Sequence, residues 1–302
     1  MKFKLYNDIK MFYQDTYDIL MRNEAQNLIP LGNVIMGNAG NDKTDWRDPA
    51  NWFMATVSDD SGIRLTAIMT PPHNLTLYAT DNQNDDEAII CLIDGMMLQI
   101  GYIDSTPGVS SKTDYYVPGV MTEKSLAEDF TRLYTARKGV DYTIHKEMRI
   151  HQLLKVNPDI PTVGTIRLVQ EKDMSFLPYW HAGFHLDCFD TPPALEKEAD
   201  ACHYLIGTKS LYVLEVDGIP VSISKMRREM QSVCGIGLVY TPPYFRGKGY
   251  ATSCVAMVSQ VILERGFTKS VLYTDLANPI SNSIYKKIGY EPIADALEIK
   301  FA

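Results

Sequence analysis

A glycine-rich turn between a strand and a helix is the segment of this 302-residue chain best suited to chemistry. It follows the apolar run 233–240 and reads Tyr240-Thr241-Pro242-Pro243-Tyr244-Phe245-Arg246-Gly247-Lys248-Gly249-Tyr250-Ala251. Gly247 and Gly249 allow the backbone to turn tightly and to approach a ligand closely. The amides of the first helical turn then face outward at the positive end of the helix dipole. The turn therefore predicts a pyrophosphate site, with Arg246 and Lys248 adding positive charge.

Other phosphate-binding turns fit this segment less well. It lacks the G-x-x-x-x-G-K-[ST] order of a Walker A loop. It also lacks the G-x-G-x-x-G order of a dinucleotide fingerprint after an early strand. A strand-to-helix turn that binds nothing is the remaining alternative.

A second segment downstream combines a strand end with a short helix. It reads Tyr273-Thr274-Asp275-Leu276-Ala277-Asn278-Pro279-Ile280-Ser281-Asn282-Ser283-Ile284-Tyr285-Lys286-Lys287-Ile288-Gly289-Tyr290. The two segments, in this order, resemble the two cofactor motifs of the GNAT superfamily of N-acetyltransferases. One departure is Tyr244, where the family often has Gln or Arg. The specific resemblance covers the second half of the chain.

The resemblance implies acetyl-CoA as cosubstrate and assigns roles to individual residues. Tyr285 would protonate the leaving thiolate, and its phenol, with an ordinary pKa of about 10, is protonated when needed. A backbone N–H near Val239 would stabilise the oxyanion. The strand 233–240 carries no carboxylate, so the base is left open between Asp275, Glu291 and a water relay. The implied cofactor-binding residues are Val239, Tyr240, Thr241, Arg246, Gly247, Lys248, Gly249, Tyr250, Ala251, Asn278, Ser281 and Asn282.

Composition excludes several classes of function. The formal net charge of −8 argues against a nucleic-acid-binding protein, which needs a basic face. The longest apolar stretch, 88–103, contains Asp94, Gly95 and Gln99, so no membrane span is predicted. Five scattered cysteines indicate reduced thiols and a cytoplasmic protein. His181 and His185 share a helix face, but the sequence shows no third ligand, and no metal is predicted.

The elements that position these motifs form two similar halves. Each half contains helices, a hairpin, a Thr-Pro-Pro sequence and a further helix, with Thr70-Pro71-Pro72 mirroring Thr241-Pro242-Pro243. We therefore predict an α+β or α/β fold of tandem GNAT-like domains, each a mixed twisted sheet flanked by helices. The predicted domains are 1–155, without an Arg-Gly-x-Gly turn and hence degenerate, and 163–302. A loop is predicted at 107–114, and a break between helices at 191–193.

The function predicted from these motifs is an N-acetyltransferase in which an amine attacks acetyl-CoA directly. The expected partner is a small amine or peptide, with no nucleic acid and no membrane. The sequence does not identify the acceptor, and a homodimer is left open. The alternative is a non-catalytic acetyl-CoA-binding sensor or scaffold. A tandem-GNAT aminoacyl transferase that uses tRNA is disfavoured, because that group does not usually keep the glycine turn and this chain is acidic.

Overall fold

The computed structural model describes residues 1–40, 48–104, 117–189 and 194–302. The chain packs into two compact units. Unit 1 comprises Met1–Ile150, Asp275–Ala277 and Ala294–Ala302, and unit 2 comprises His151–Thr274 and Asn278–Ile293. The units are not contiguous in sequence, and the domain bounds 1–155 and 163–302 stay a prediction. The loop predicted at 107–114 and the break at 191–193 lie outside the described residues.

Unit 1 is built on antiparallel strands with helices between them. Its elements are β1 (Lys2–Leu5), α1 (Ile9–Met21), α2 (Leu28–Ala39), β2 (Phe53–Asp59), β3 (Gly62–Met69), β4 (Thr76–Ala79), α3 (Asp86–Asp104), β5 (Gly119–Glu123), α4 (Lys124–Lys138) and β6 (Tyr142–Leu153), of which the last continues into unit 2. The sheet order is β1-β2-β3-β4, and a parallel bridge between Leu75 and Val120 follows it. The core lies between this sheet and helices α3 and α4, and includes Phe53, Leu92 and Phe130.

Unit 2 carries both motif segments. Its elements are β7 (Thr165–Leu168), α5 (Leu177–Phe189), α6 (Leu195–Gly207), β8 (Leu211–Val216), β9 (Ile219–Arg227), β10 (Val233–Tyr240), α7 (Tyr250–Glu264), β11 (Lys269–Asp275), α8 (Pro279–Ile288) and β12 (Glu291–Phe301), of which β11 and β12 end in unit 1. The strand order is β11-β10-β9-β8-β7, in which only the β10–β11 pair is parallel.

Two cores lie against this sheet. One involves α7 and α8 and includes Val255, Ile288 and Tyr285. The other involves α5 and α6 and includes Trp180 and Tyr240. The β8–β9 hairpin turns at Asp217-Gly218, where both residues have positive φ (52° and 75°), as the sequence predicts for a two-residue turn.

The same order of elements occurs in both units. In unit 1, β2, β3 and β4 precede helix α3, strand β5 and helix α4, and in unit 2, β8, β9 and β10 precede α7, β11 and α8. The strands on either side of α3 and of α7 are linked in parallel. The mixed α/β class is therefore confirmed, and the element order supports two copies of one fold.

One part of the predicted correspondence between the halves is wrong. Thr70-Pro71-Pro72 lies between β3 and β4, whereas Thr241-Pro242-Pro243 lies between β10 and α7. The first Thr-Pro-Pro sequence therefore lies one strand earlier in its unit than the second does. The short strand β4, which the sequence reading missed, is the counterpart of β10.

Candidate functional site

The predicted pyrophosphate turn is an open, exposed bend between β10 and α7. Gly247 and Gly249 both have left-handed backbone angles, with φ of 78° and 77°. A Cβ built at either position would meet nothing within 4 Å. The glycines are therefore required by backbone conformation rather than by crowding, and side chains do not fill the turn.

The N-terminus of α7 presents its amides without a side-chain cap. Gly249 occupies the cap position and has no side chain to accept a hydrogen bond. The first intrahelical bond of this end runs from the Ser253 N–H to the Gly249 carbonyl, 3.0 Å. The preceding amides of the first turn have no intrahelical acceptor, as at any helix start. An anion placed here would meet free N–H groups and the positive end of the dipole.

Two cations flank the turn. The Arg246 Nε donates to the Thr241 carbonyl at 2.8 Å, and its Nη2 contacts a carboxylate oxygen of Asp187 on α5 at 2.5 Å. Lys248 stands over the Phe245 ring, 5.9 Å from its centroid. No carboxylate pairs with Lys248 in the part of the chain that the structure describes. Arg246 is thus held in place by the protein, whereas Lys248 is available to a ligand.

Strands β10 and β11 separate before they reach the turn. Their ladder pairs Val233, Cys234 and Gly235 with Lys269, Ser270 and Val271, and stops there within these fully described strands. After Gly235, the backbone groups of β10 that face β11 are therefore not paired in that ladder. A gap of this kind leaves backbone donors and acceptors for an extended ligand.

A β-bulge lies in this same part of β10. The ladder with β9 pairs Gly237 with Lys225 and then Tyr240 with Ile223, so Leu238 and Val239 lie opposite Ser224 alone. Leu238 has a φ of 49°, which is unusual for a branched apolar side chain. Bulges redirect backbone groups out of the ladder. The oxyanion donor predicted near Val239 lies at this bulge and stays a prediction. Gly237 is the one residue in the sequence that signals the bulge.

The end of β10 is fixed by a serine on β9. The Ser222 hydroxyl donates to the Tyr240 carbonyl at 3.1 Å and lies 2.8 Å from the Thr241 hydroxyl. These bonds hold the end of β10 in place ahead of the glycine turn. This strand end contains three residues of the predicted cofactor set, Val239, Tyr240 and Thr241.

Tyr285 is a buried residue of α8. It is 9% exposed, packs in the core beneath β10 and meets the Tyr290 ring edge to face at 5.9 Å. Burial, with a smaller contribution from Cys188, raises the pKa of Tyr285 above its ordinary value. The phenol is therefore protonated throughout the physiological range, as a proton donor must be.

The remaining residues of the second motif stabilise the start of α8. The Asn278 side chain accepts from the Ser281 N–H at 3.0 Å and so caps the helix. The Asn282 side-chain oxygen accepts from the Thr274 hydroxyl at 2.7 Å, and its amide donates to the Asn278 carbonyl at 2.8 Å. These are structural roles, and cofactor contacts by Asn278, Ser281 and Asn282 stay a prediction.

Asp275 is the last residue of β11 and belongs to unit 1. Its carboxylate accepts from the Ala277 N–H at 2.7 Å, which closes a local turn. Glu291, the second carboxylate considered, is exposed at the start of β12. The general base stays unassigned.

Helices α5 and α6 form a layer over the same end of β10, which the sequence reading did not connect with the site. A Cβ on Gly183 would overlap the Tyr240 hydroxyl, so glycine is needed for α5 to approach the strand. The Trp180 indole donates to the Tyr244 hydroxyl at 3.2 Å. Together with the Asp187–Arg246 pair, these contacts fix α5 against the turn.

Comparison with known proteins identifies the fold. Residues 225–298, which span both motif segments, match the model of the FR47-like protein family. An acetyltransferase from the GNAT family of Colwellia psychrerythraea superposes with a TM-score of 0.56 at 12% identity, over 100% of this chain and 99% of the other. The fold is that of the GNAT acetyltransferases.

Two further GNAT structures cover nearly the whole chain. A GCN5-related N-acetyltransferase from Sphaerobacter thermophilus has a TM-score of 0.58 at 14% identity, over 99% of this chain and 95% of the other. A tandem GNAT protein from the clavulanic acid biosynthesis pathway has a TM-score of 0.57 at 9% identity, over 100% and 98%. No curated protein matches in sequence. The tandem GNAT architecture is confirmed at the level of fold.

The sequence predicts no membrane-spanning segment, and the helices of the structure agree with this. Within the residues that the structure describes, none of the helices combines the length and apolarity needed to cross a bilayer.

Proposed function

We propose that this chain is an N-acetyltransferase that transfers the acetyl group of acetyl-CoA to an amine. The observation that carries the proposal is the open turn at Gly247 and Gly249, which presents the uncapped amides of α7 beside the separated strands β10 and β11. Diphosphate would bind at the helix start, and the pantetheine arm would extend along the free edge of β10.

The chemistry requires few groups from the protein. The amine nitrogen attacks the thioester carbonyl carbon, and the C–S bond breaks as the amide forms. The backbone at the β10 bulge, near Val239, would donate to the oxyanion. Tyr285 would donate its phenolic proton to the departing sulfur. The proton lost by the attacking nitrogen passes to Asp275, Glu291 or water.

Unit 1 is proposed to have lost the cofactor site. Its helix α3 follows β4 as α7 follows β10, but the start of α3 carries its own carboxylate cap. The Asp85 carboxylate accepts from the Glu87 N–H at 2.9 Å and from the Ala88 N–H at 3.4 Å. Asp86 and Glu87 add negative charge in the first turn. A diphosphate would be repelled from this helix start, so we assign one cofactor site per chain.

A non-catalytic acetyl-CoA-binding protein is the alternative function. The absence of a carboxylate on β10 favours it, because the amine then has no adjacent base on that strand. The partner we propose is a small amine or a peptide N-terminus, not a nucleic acid.

The experiment that separates the two functions is a panel of amines incubated with acetyl-CoA and the full chain, with free thiol as the readout. The enzyme hypothesis predicts amine-dependent thiol release that Tyr285→Phe slows. Binding of acetyl-CoA with no thiol release for any amine would support the sensor.

A further inference from the structure

A cluster of two histidines and one glutamate lies between α5 and α6. His181 and His185 are on α5, and Glu198 is on α6. The Glu198 Oε2 contacts the His181 Nδ1 directly, and its Oε1 lies 3.8 Å from the His185 Nδ1. The candidate ligand atoms all lie within 4.8 Å of one another.

The cluster is largely shielded from water. The exposed fractions of the side chains are 6% for Glu198, 10% for His181 and 37% for His185. A buried carboxylate needs compensating positive charge and partners for both oxygens. His181 supplies a partner for one oxygen. The second oxygen is too far from the His185 Nδ1 for a hydrogen bond, which requires about 3.2 Å or less.

The His185–Glu198 spacing suits a shared cation better than a direct hydrogen bond. Zinc binds imidazole nitrogen and carboxylate oxygen at about 2.0–2.2 Å, so tetrahedral neighbours stand roughly 3.3 Å apart. The His185–Glu198 separation of 3.8 Å is slightly longer than this value, and the direct His181–Glu198 contact would lengthen by side-chain rotation when both residues bind one ion. Two imidazoles favour zinc over the oxygen-preferring ions magnesium and calcium.

We propose that His181, His185 and Glu198 bind Zn²⁺, with water completing the coordination, and that the ion joins α5 to α6. This inference replaces the prediction of no metal, which rested on the lack of a third ligand near the histidines in sequence. The third ligand comes from the next helix, and only the packing of α6 on α5 reveals it.

The proposed ion would stabilise the layer that covers β10. Helix α5 carries Gly183, which packs on Tyr240, and Asp187, which holds Arg246. The zinc site nevertheless does not depend on coenzyme A binding, and each can be tested without the other.

The test is calorimetric titration of the full chain, stripped of metal with a chelator, against zinc chloride in the absence of coenzyme A. We expect one zinc per chain. His185→Gln removes a partly exposed ligand without opening the core and should weaken binding at least about tenfold. Glu198→Gln should weaken it further. His203→Gln, which removes an exposed α6 histidine 3.4 Å from Glu171, is the matched control and should bind zinc as the parent does.

A second readout uses the parent protein and does not depend on the folding of any variant. The stripped parent protein is loaded with Co²⁺, whose visible spectrum reports coordination number and the presence of nitrogen ligands. We expect the intense visible absorption of four- or five-coordinate Co²⁺. One equivalent of zinc should displace the cobalt and abolish this absorption. The proposal would be overturned if the parent takes up no zinc, if cobalt stays in its aqueous six-coordinate form, or if His185→Gln binds zinc as tightly as His203→Gln.

Discussion

The guanidinium of Arg246 and the carboxylate of Asp187 meet at 2.5 Å, with both side chains about half exposed. The pair links the glycine turn to α5. It also orients the Arg246 guanidinium, whose Nε donates to the Thr241 carbonyl. In this pair Asp187 neutralises the positive charge of Arg246, which would otherwise attract a diphosphate. Cofactor binding must therefore either displace Asp187 or use the remaining N–H groups of the guanidinium.

The first prediction follows from this pair. Arg246→Gln should weaken coenzyme A binding about tenfold, the typical value of one charge-assisted hydrogen bond. Asp187→Asn should leave binding unchanged or tighten it, because it frees the guanidinium. Both are measured by calorimetry. Arg265→Gln is the control, since Arg265 pairs with Glu229 at the opposite end of α7. Equal losses in Arg246→Gln and Arg265→Gln would show that only overall charge matters.

The second prediction concerns Tyr285. Tyr285→Phe should lower kcat about a hundredfold while leaving coenzyme A affinity unchanged, because the proton donor is lost and the ring is kept. Since burial raises the pKa of Tyr285, its deprotonation lies above the usual value of about 10. The parent enzyme should therefore keep its kcat on the alkaline side up to about pH 10.

The control for Tyr285 is another buried tyrosine. The Tyr290 hydroxyl is hydrogen-bonded to Ser259 at 2.8 Å and to Ser270 at 2.6 Å. Tyr290→Phe should lower stability and leave kcat nearly unchanged. A kcat for Tyr285→Phe equal to that of the parent would remove Tyr285 as the acid.

The third prediction compares two buried serines on one face of β9. Ser222 bonds to the end of β10, whereas the Ser224 hydroxyl, opposite the bulge, has no hydrogen-bond partner among the described residues. Ser222→Ala should cost about 1–3 kcal/mol of unfolding free energy because it leaves an acceptor unpaired. Ser224→Ala should be neutral or stabilising by up to about 1 kcal/mol. Urea denaturation measures both, and a larger loss for Ser224→Ala would contradict the assigned geometry.

The fourth prediction is a loss of stability in acid. Burial alone would raise the pKa of Asp173, but bonds from Arg167 and from the Gln170 N–H outweigh it and leave the pKa lowered. A lowered folded pKa gives stability that is present above the unfolded value of about 3.9 and is lost as pH falls through the folded value. The unfolding free energy should therefore fall below about pH 4. Asp173→Asn should flatten that fall and cost about 2 kcal/mol at pH 7.

The sequence predicted those parts of the site that depend on local backbone chemistry. The glycine turn and the Asp217-Gly218 hairpin depend on residues that are close in sequence, and each is found. The bulge at Leu238 was missed, because a leucine with positive φ has no local signature. Glu198 was missed as a partner of the histidines, because only tertiary packing brings α6 to α5. The short strands β1, β4 and β5 were missed because four or five residues give too little periodicity.

Titration of the full chain with coenzyme A tests the central claim most directly, with Gly249→Asp and Gly266→Asp as the variant and its control. Both glycines have positive φ and open space at the Cβ position, at opposite ends of α7, so the backbone strain is matched. Gly249→Asp places a carboxylate at the cap position of α7, as Asp85 does at the start of α3. We predict one coenzyme A per chain, a loss of at least about a hundredfold for Gly249→Asp from charge repulsion, and little change for Gly266→Asp. No uptake by the parent chain, or equal affinity in the two variants, would contradict the assignment of the glycine turn as the diphosphate site.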